Sequence, residues 1–465
     1  MKNRIQISIF SKSNSAIVLL LIVSMLFTTF LMNITPQISY AEVDYSVPPE
    51  IEAEAAILIN ASTGEVLYEK EADMQRAPAS TTKIMTSLIA IETLQLDQMV
   101  TIDEETEAVN DSQMNLKEGE EISVDHLLYG TLLSSANDGA VALAKTVSGT
   151  VSDFVVKMNA RAREMGLENT NFMNANGLDD DNHYSTARDM AKLGMEAMKN
   201  SKFKEYVSTV EYVIPETNMR AKRNLINSNH LLFDEETQVM VYDTRRPIKY
   251  DGTVGVKTGY TSVAGRCLVA MVERDGLNFV AVVMGSPGYT NQVFEDMITL
   301  FEYGYANYEQ VILFSDENSN TKFKARKAKE EESIAVPFQE VTTTLRIGTS
   351  AGITYKFELS EKLVAPLEKG TKVGKVQAYL GDTLLGEVDL IAKDEVEKKP
   401  NIFERIASLP VLVKIILVIV LLVVLFFLYV MLRQNRQVSA RRKRRRMNWG
   451  SGSNTRDITR VKRIK

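Results

Sequence analysis

Apolar positions in this chain follow three different rhythms. Two charge-free runs lie near the ends, Ala16 to Met32 and Ile415 to Leu432. Between them, short alternating or apolar runs take turns with stretches of helical period. Ala55–Asn60 and Glu65–Tyr68 flank Ser62, Thr63 and Gly64, which predicts a hairpin. Helical spacing marks Thr81 to Leu94 after Pro78, then Val124–Leu133, Asp138–Val147, Val151–Met165, Thr186–Met198 and Val293–Tyr305. Gly255 to Lys257 reads as a strand, and Cys267–Val272 with Asn278–Met284 forms a second hairpin around Asp275 and Gly276. Strands at both ends with helices between them predict an α/β domain, an antiparallel sheet packed with a helical cluster.

Around 315–333 the composition shifts to Lys, Glu, Asn and Ser, a linker signal with little to bury. Beyond it, Val341–Ile347, Ile353–Leu359, Val373–Leu380 and Leu384–Ile391 alternate between Gly-containing turns, which predicts a small all-β domain. That domain carries no chemical constellation; a spacer between membrane and catalytic domain is its expected role.

The ends set topology. Lys2, Arg4 and Lys12 precede the first apolar run, and Ser39, Tyr40, Ala41 close it with a small-x-small site, the pattern of a signal peptide over 1–41; an uncleaved anchor is the alternative. The second run, extended to 409–432, is long enough for a transmembrane helix. Behind it, residues 433–465 hold thirteen Lys or Arg against Asp457 alone. Positive-inside bias puts this tail in the cytoplasm and the catalytic domain on the extracytoplasmic side of a single-pass membrane protein. Beside a membrane helix, the basic run 441–446 reads as a stop-transfer and anionic-lipid patch rather than a nucleic-acid arm.

The whole chain carries −6. Residues 1–41 hold +3, 401–432 hold +1 and the tail holds +12, which leaves 42–400 at −22 and gives no basic face for nucleic acid. Cys267 is the one cysteine, so no internal disulfide forms. His126, His183 and His230 are too scattered for a metal site, and no cofactor motif is present.

Three short strings carry the chemistry: Ser80 to Lys83, Ser135 to Asn137, and Lys257 to Gly259. A serine hydroxyl needs a neighbour to take its proton, and with no His placed for a triad the candidate base is Lys83, one helical turn on. Lys83 works as a base only with a lowered pKa, which burial and a second cation, Lys257, would produce. Ser135 is placed to relay a proton to the leaving group and Asn137 to hold the substrate amide. Lys257, Thr258 and Gly259 on an edge strand suit an extended peptide, with Lys257 and Thr258 toward a terminal carboxylate. Backbone N–H groups of Ser80 and Tyr260 are the expected oxyanion donors. Taken singly, Ser80 reads as a helix cap, Lys83 as a solvated lysine and Lys257 as an edge gatekeeper; taken together, the three strings favour catalysis.

Ser-x-x-Lys, Ser-x-Asn and Lys-Thr-Gly in this order are the set of penicillin-binding proteins and class A β-lactamases. Ala77–Lys83 (APASTTK), Asn174–Asp179 (NANGLD), His183–Ala191 (HYSTARDMA) and Val256–Gly265 (VKTGYTSVAG) resemble the low-molecular-mass penicillin-binding proteins that are serine-type D-alanyl-D-alanine carboxypeptidases. The resemblance covers about 45–310, with 320–392 similar in placement to that family's membrane-proximal domain. It implies a penicillin-binding/β-lactamase-like transpeptidase fold over a catalytic domain at 42–315, an all-β domain at 316–395, and release of the terminal D-alanine from peptidoglycan pentapeptide stems through an acyl-enzyme, with β-lactams acylating the same serine. Departures from the family pattern fall at Asn176 and Ser228, where some relatives carry His and Arg, near Gln292, and at Arg266, a substitute cation for the substrate carboxylate. Glu168–Asn171 does not match the string that supplies a β-lactamase with its deacylation base, so a long-lived penicillin adduct is expected. A transpeptidase or endopeptidase of the same fold, or a catalytically inactive wall-binding protein, stays open on sequence, as do the deacylation base and the oligomeric state.

Overall fold

The computed structural model describes residues 45–288 and 291–448, together with Ser24, and side chains as far as 439. The signal-peptide reading, Ser24 apart, and the tail beyond 448 lie outside the described residues. The chain divides into two compact units after Val311, and Thr344–Thr349 return to the first.

In the first unit, β1 (Ala55–Asn60) and β2 (Val66–Lys70) join β3 (Thr253–Thr261), β4 (Gly265–Arg274) and β5 (Leu277–Ser286) in one antiparallel sheet ordered β2-β1-β5-β4-β3. Every residue of β1 is buried, because both faces of the sheet are covered. Its alternation sorts the two layers: Ala55, Ile57 and Ile59 enter one core with the helical cluster, while Ala56 and Leu58 enter another with a C-terminal helix, Gln292–Asn307. Val269 and Met271 of β4 face the first layer, and Leu268, Ala270 and Val272 the second. Each such buried aliphatic side chain contributes about 1.5–3 kcal/mol of transfer free energy.

The helical cluster consists of α1 (Lys83–Thr93), α2 (Val124–Leu133), α3 (Asn137–Ser148), α4 (Val151–Glu164), α5 (Ala187–Met198) and α6 (Ser201–Ser208). Side-chain caps set several starts: Ser123 accepts the N–H of His126, Thr150 that of Asp153, and Thr186 that of Asp189. Two boundaries differ from the sequence reading, and both concern chemistry. The helix expected from Thr81 is preceded by a 3-10 turn, Ala79–Thr82, so Lys83 opens α1 and Ser80 stands inside the tighter turn. Asn137, expected on a loop, is the first residue of α3.

The second unit holds a five-stranded antiparallel sheet ordered Thr321–Phe323, Ser333–Pro337, Thr383–Ala392, Lys372–Leu380, Ile353–Leu359. The polar stretch read as a linker therefore corrects to structure: Thr321–Phe323 pairs with Ser333–Pro337, and Phe323 is buried with Phe314, Val376 and Leu390. One buried aromatic outweighed the polar composition around it. Farther on runs one long helix, Val411–Asn448, whose Val411–Ser439 portion has mean hydropathy 3.5. It is long and apolar enough to cross a membrane.

Candidate active site

In a 3-10 turn residues three apart eclipse one another, and this places the Ser80 hydroxyl against the Lys83 amine. Lys83 Nζ lies 2.8 Å from Ser80 Oγ, 2.7 Å from Asn137 Oδ1 and 2.6 Å from the carbonyl oxygen of Asn176. The last two accept hydrogens only. A neutral amine has two hydrogens and one lone pair, so donating to Asn137 and Asn176 leaves the lone pair aimed at the Ser80 hydroxyl. Lys83 is fully buried. Burial first, and the charge of Lys257 second, hold its pKa well below 10.5 against the opposing pull of Asp138.

Asn176 is carried by a loop that the sequence itself folds. The Asn174 side chain accepts the N–H groups of Asn176 and Gly177 and donates to the carbonyl of Leu178 at 2.8 Å. Gly177 takes φ +87°, and a Cβ there would fall 1.9 Å from the Ala79 carbonyl, so only glycine lets the loop close on the serine turn. His183 ties the two together. Its Nδ1 accepts the N–H of Met173 at 3.2 Å, which leaves Nε2–H to donate to Thr82 Oγ1 at 2.9 Å. Burial lowers His183 to about 4, so it stays neutral in this role.

The second string sits where α2 meets α3. Ser135 adopts φ +61°, an unusual backbone for serine. The next turn brings Asn137 to Lys83, and Asn137 Nδ2 donates to the Asn110 carbonyl at 3.0 Å, which fixes the amide orientation. Asp138, also buried, accepts the N–H groups of Met114 at 3.1 Å and Leu116 at 3.0 Å and anchors the segment facing the site.

β3 closes the site. A Cβ on Gly259 would lie 3.0 Å from the backbone nitrogens of Ser80 and Thr81, so glycine is what lets this strand pass the serine turn. Lys257 is buried, donates to the Thr258 carbonyl at 2.9 Å, and is brought down to about 7 by burial. Thr258 Oγ1 lies 2.6 Å from Ser228 Oγ. The Arg266 guanidinium sits 4.9 Å from the centre of the Tyr260 ring.

A cavity of about 330 Å³ gathers Ser80, Ser135, Thr258, Gly259, Tyr260 and Arg266, joined by Ser112, Ser228 and His230. All three strings thus converge. What sequence reasoning missed is mostly backbone: the Asn176 carbonyl has no side-chain signature, although the Asn-rich turn around Gly177 marked its loop. Ser228 was noticed as a departure from relatives, but its partner Thr258 became visible only through the fold.

An unprotonated amine buried one tight turn beyond a serine, with a second buried cation at its back, defines a serine acyl enzyme that uses lysine where a triad would use histidine. The chain belongs to the D-alanyl-D-alanine carboxypeptidase family, peptidase S11, whose model matches residues 42–288. A model described as the C-terminal domain of penicillin-binding protein 5 matches 308–398. D-alanyl-D-alanine carboxypeptidase DacF of Bacillus subtilis is 33% identical over 361 residues, covering 75% of this chain and 86% of that protein. Among solved structures, penicillin-binding protein 5 of Haemophilus influenzae aligns with TM-score 0.58 and 29% identity over 76% of this chain and 99% of its own. The Streptomyces K15 DD-transpeptidase aligns with TM-score 0.51 and 34% identity over 56% of this chain and 99% of its own. The fold is that of penicillin-binding protein 5, and the activity is that of a serine-type D-alanyl-D-alanine carboxypeptidase.

Proposed function

We propose that Ser80 is the nucleophile and Lys83 its base in removing the terminal D-alanine from peptidoglycan stem peptides. Ser80 Oγ attacks the carbonyl carbon of the penultimate residue while its proton passes to Lys83 Nζ. The oxyanion forms against the N–H groups of Ser80 and Tyr260. As the C–N bond breaks, the departing amine takes a proton delivered through Ser135. Water then cleaves the ester, releasing the shortened peptide and restoring Ser80. Asn137 holds the substrate amide; Lys257, Thr258 and Gly259 form the platform, with Arg266 toward the terminal carboxylate. The observation that carries this reading is the 2.8 Å contact between a buried Lys83 and Ser80.

β-Lactams acylate the same oxygen, and their leaving nitrogen stays tethered after ring opening, which favours a long-lived adduct. Val411–Ser439 spans the membrane once, with the catalytic unit outside and the basic tail inside on anionic lipid. The test is D-alanine release from a pentapeptide by the full-length protein, together with mass spectrometry after penicillin treatment. Ser80→Ala is expected to lose both release and adduct. An adduct on another residue would refute the assignment, and transfer to an added amine in preference to water would mark a transpeptidase.

A further inference from the structure

His230 lines the same cavity as Ser80, Ser228, Thr258 and Arg266, yet the steps above leave it without a task. Its position is built rather than incidental. Nδ1 lies 2.9 Å from Oδ2 of Asp234. The other oxygen of Asp234 accepts the N–H groups of Glu236 at 3.1 Å and Thr237 at 2.9 Å, so the turn, not the imidazole, fixes the carboxylate. Burial works against ionisation of Asp234, but the hydrogen bonds from Thr237, His230 and Glu236 bring it down to about 2. An anion therefore stands permanently on the Nδ1 side of the ring.

The imidazole packs between Phe233 and Phe294, with centroids 5.3 and 5.5 Å away. Its side chain keeps 44% exposure, and Nε2 is the ring nitrogen that Asp234 does not engage. Two residues earlier, Ser228 shares its hydroxyl with Thr258 of the substrate platform. Thr258, Ser228 and His230 thus form one polar edge of the cavity, with Arg266 as the other cationic group lining it.

We infer that His230, its Nδ1 tied to Asp234, is a specificity residue that presents Nε2–H to the free carboxylate at the C-terminus of the peptide. The inference rests on the carboxypeptidase reading and adds a residue to substrate recognition. The alternative is a purely structural His–Asp contact that stabilises the turn 230–237.

The test compares two peptides with full-length enzyme, one ending in D-Ala-D-Ala with a free carboxylate and one ending in the carboxamide. His230→Phe keeps an aromatic ring between Phe233 and Phe294 and removes both nitrogens. It is expected to lower kcat/KM for the carboxylate peptide about tenfold more than for the carboxamide, the scale of one charge-assisted hydrogen bond at a half-exposed site. Asp234→Asn is expected to move the same ratio in the same direction by less. His230→Gln, which restores a neutral donor, should recover part of the preference if His230→Phe disturbs folding. Equal losses on both peptides, or an unchanged ratio in all three variants, would overturn the inference. If the unaltered enzyme releases D-alanine from neither peptide, the carboxypeptidase reading itself fails.

Discussion

Oδ1 of Asn137 accepts a 2.7 Å hydrogen bond from Lys83, and its amide nitrogen is tied to the Asn110 carbonyl at 3.0 Å. An uncharged acceptor at this place lets the amine remain neutral. Asn137→Asp would put a carboxylate there and favour the ammonium, so penicillin acylation at neutral pH is expected to fall at least about a hundredfold, with the residual rate recovering toward high pH. Asn137→Ala, which removes the acceptor without adding charge, should lose less. Stopped-flow acylation kinetics distinguish the two; equal losses would mean that charge is irrelevant at this position.

Lys257 keeps a buried amine whose pKa falls from 10.5 to about 7. Between those values the unfolded chain binds a proton that the folded chain lacks, so stability rises with pH across this window and is lost as pH falls through it. One such group contributes at most about 1.4 kcal/mol per pH unit. Thermal unfolding from pH 7 to 10 is expected to show a shallower rise in Lys257→Met than in the unaltered protein, even as acylation collapses. Parallel curves would show that Lys257 is well solvated.

His183 gives the acid-side counterpart. Burial holds it neutral down to about 4, whereas the unfolded imidazole protonates near 6.5. Below 6.5 the unfolded state gains a proton first, so stability present at neutral pH drains away between 6.5 and 4, by about 3 kcal/mol at the limit. In His183→Gln this pH dependence should shrink, with a lower neutral-pH Tm because the Thr82 and Met173 contacts change. Denaturant titrations at pH 7 and 4.5 measure both effects.

Gly177→Ala introduces a Cβ where the Ala79 carbonyl already lies, and a positive φ opposes it as well. The loop must withdraw and take the Asn176 carbonyl away from Lys83. Penicillin acylation is expected to drop tenfold or more, with a loss of stability of about 1 kcal/mol or greater. An unchanged acylation rate would remove Asn176 from the account of how Lys83 is aimed.

Ser80, Lys83, Ser135, Asn137 and Lys257 were legible because the chemistry needs particular side chains in a fixed order, and hairpins such as Cys267–Val272 with Asn278–Met284 were legible through their turn residues. Strands β1 and β5, covered on both faces, lacked strict alternation but remained readable as apolar runs. The rest depended on contacts remote in sequence. Nothing near Asn176 announces that its carbonyl completes the lysine's hydrogen bonding 93 residues away. The 3-10 turn at Ala79–Thr82 was hidden because its composition also suits an α-helix. Phe323 made a strand of a segment whose remaining residues favoured a linker.

The most direct measurement is the pH dependence of the penicillin acylation rate constant. A neutral Lys83 beside Ser80 requires the rate to level off well below pH 10.5, with the acid limb moving upward in Lys257→Met as the like charge disappears. A rate that climbs tenfold per pH unit all the way to about 10.5, as for an ordinary solvated lysine, would contradict the account.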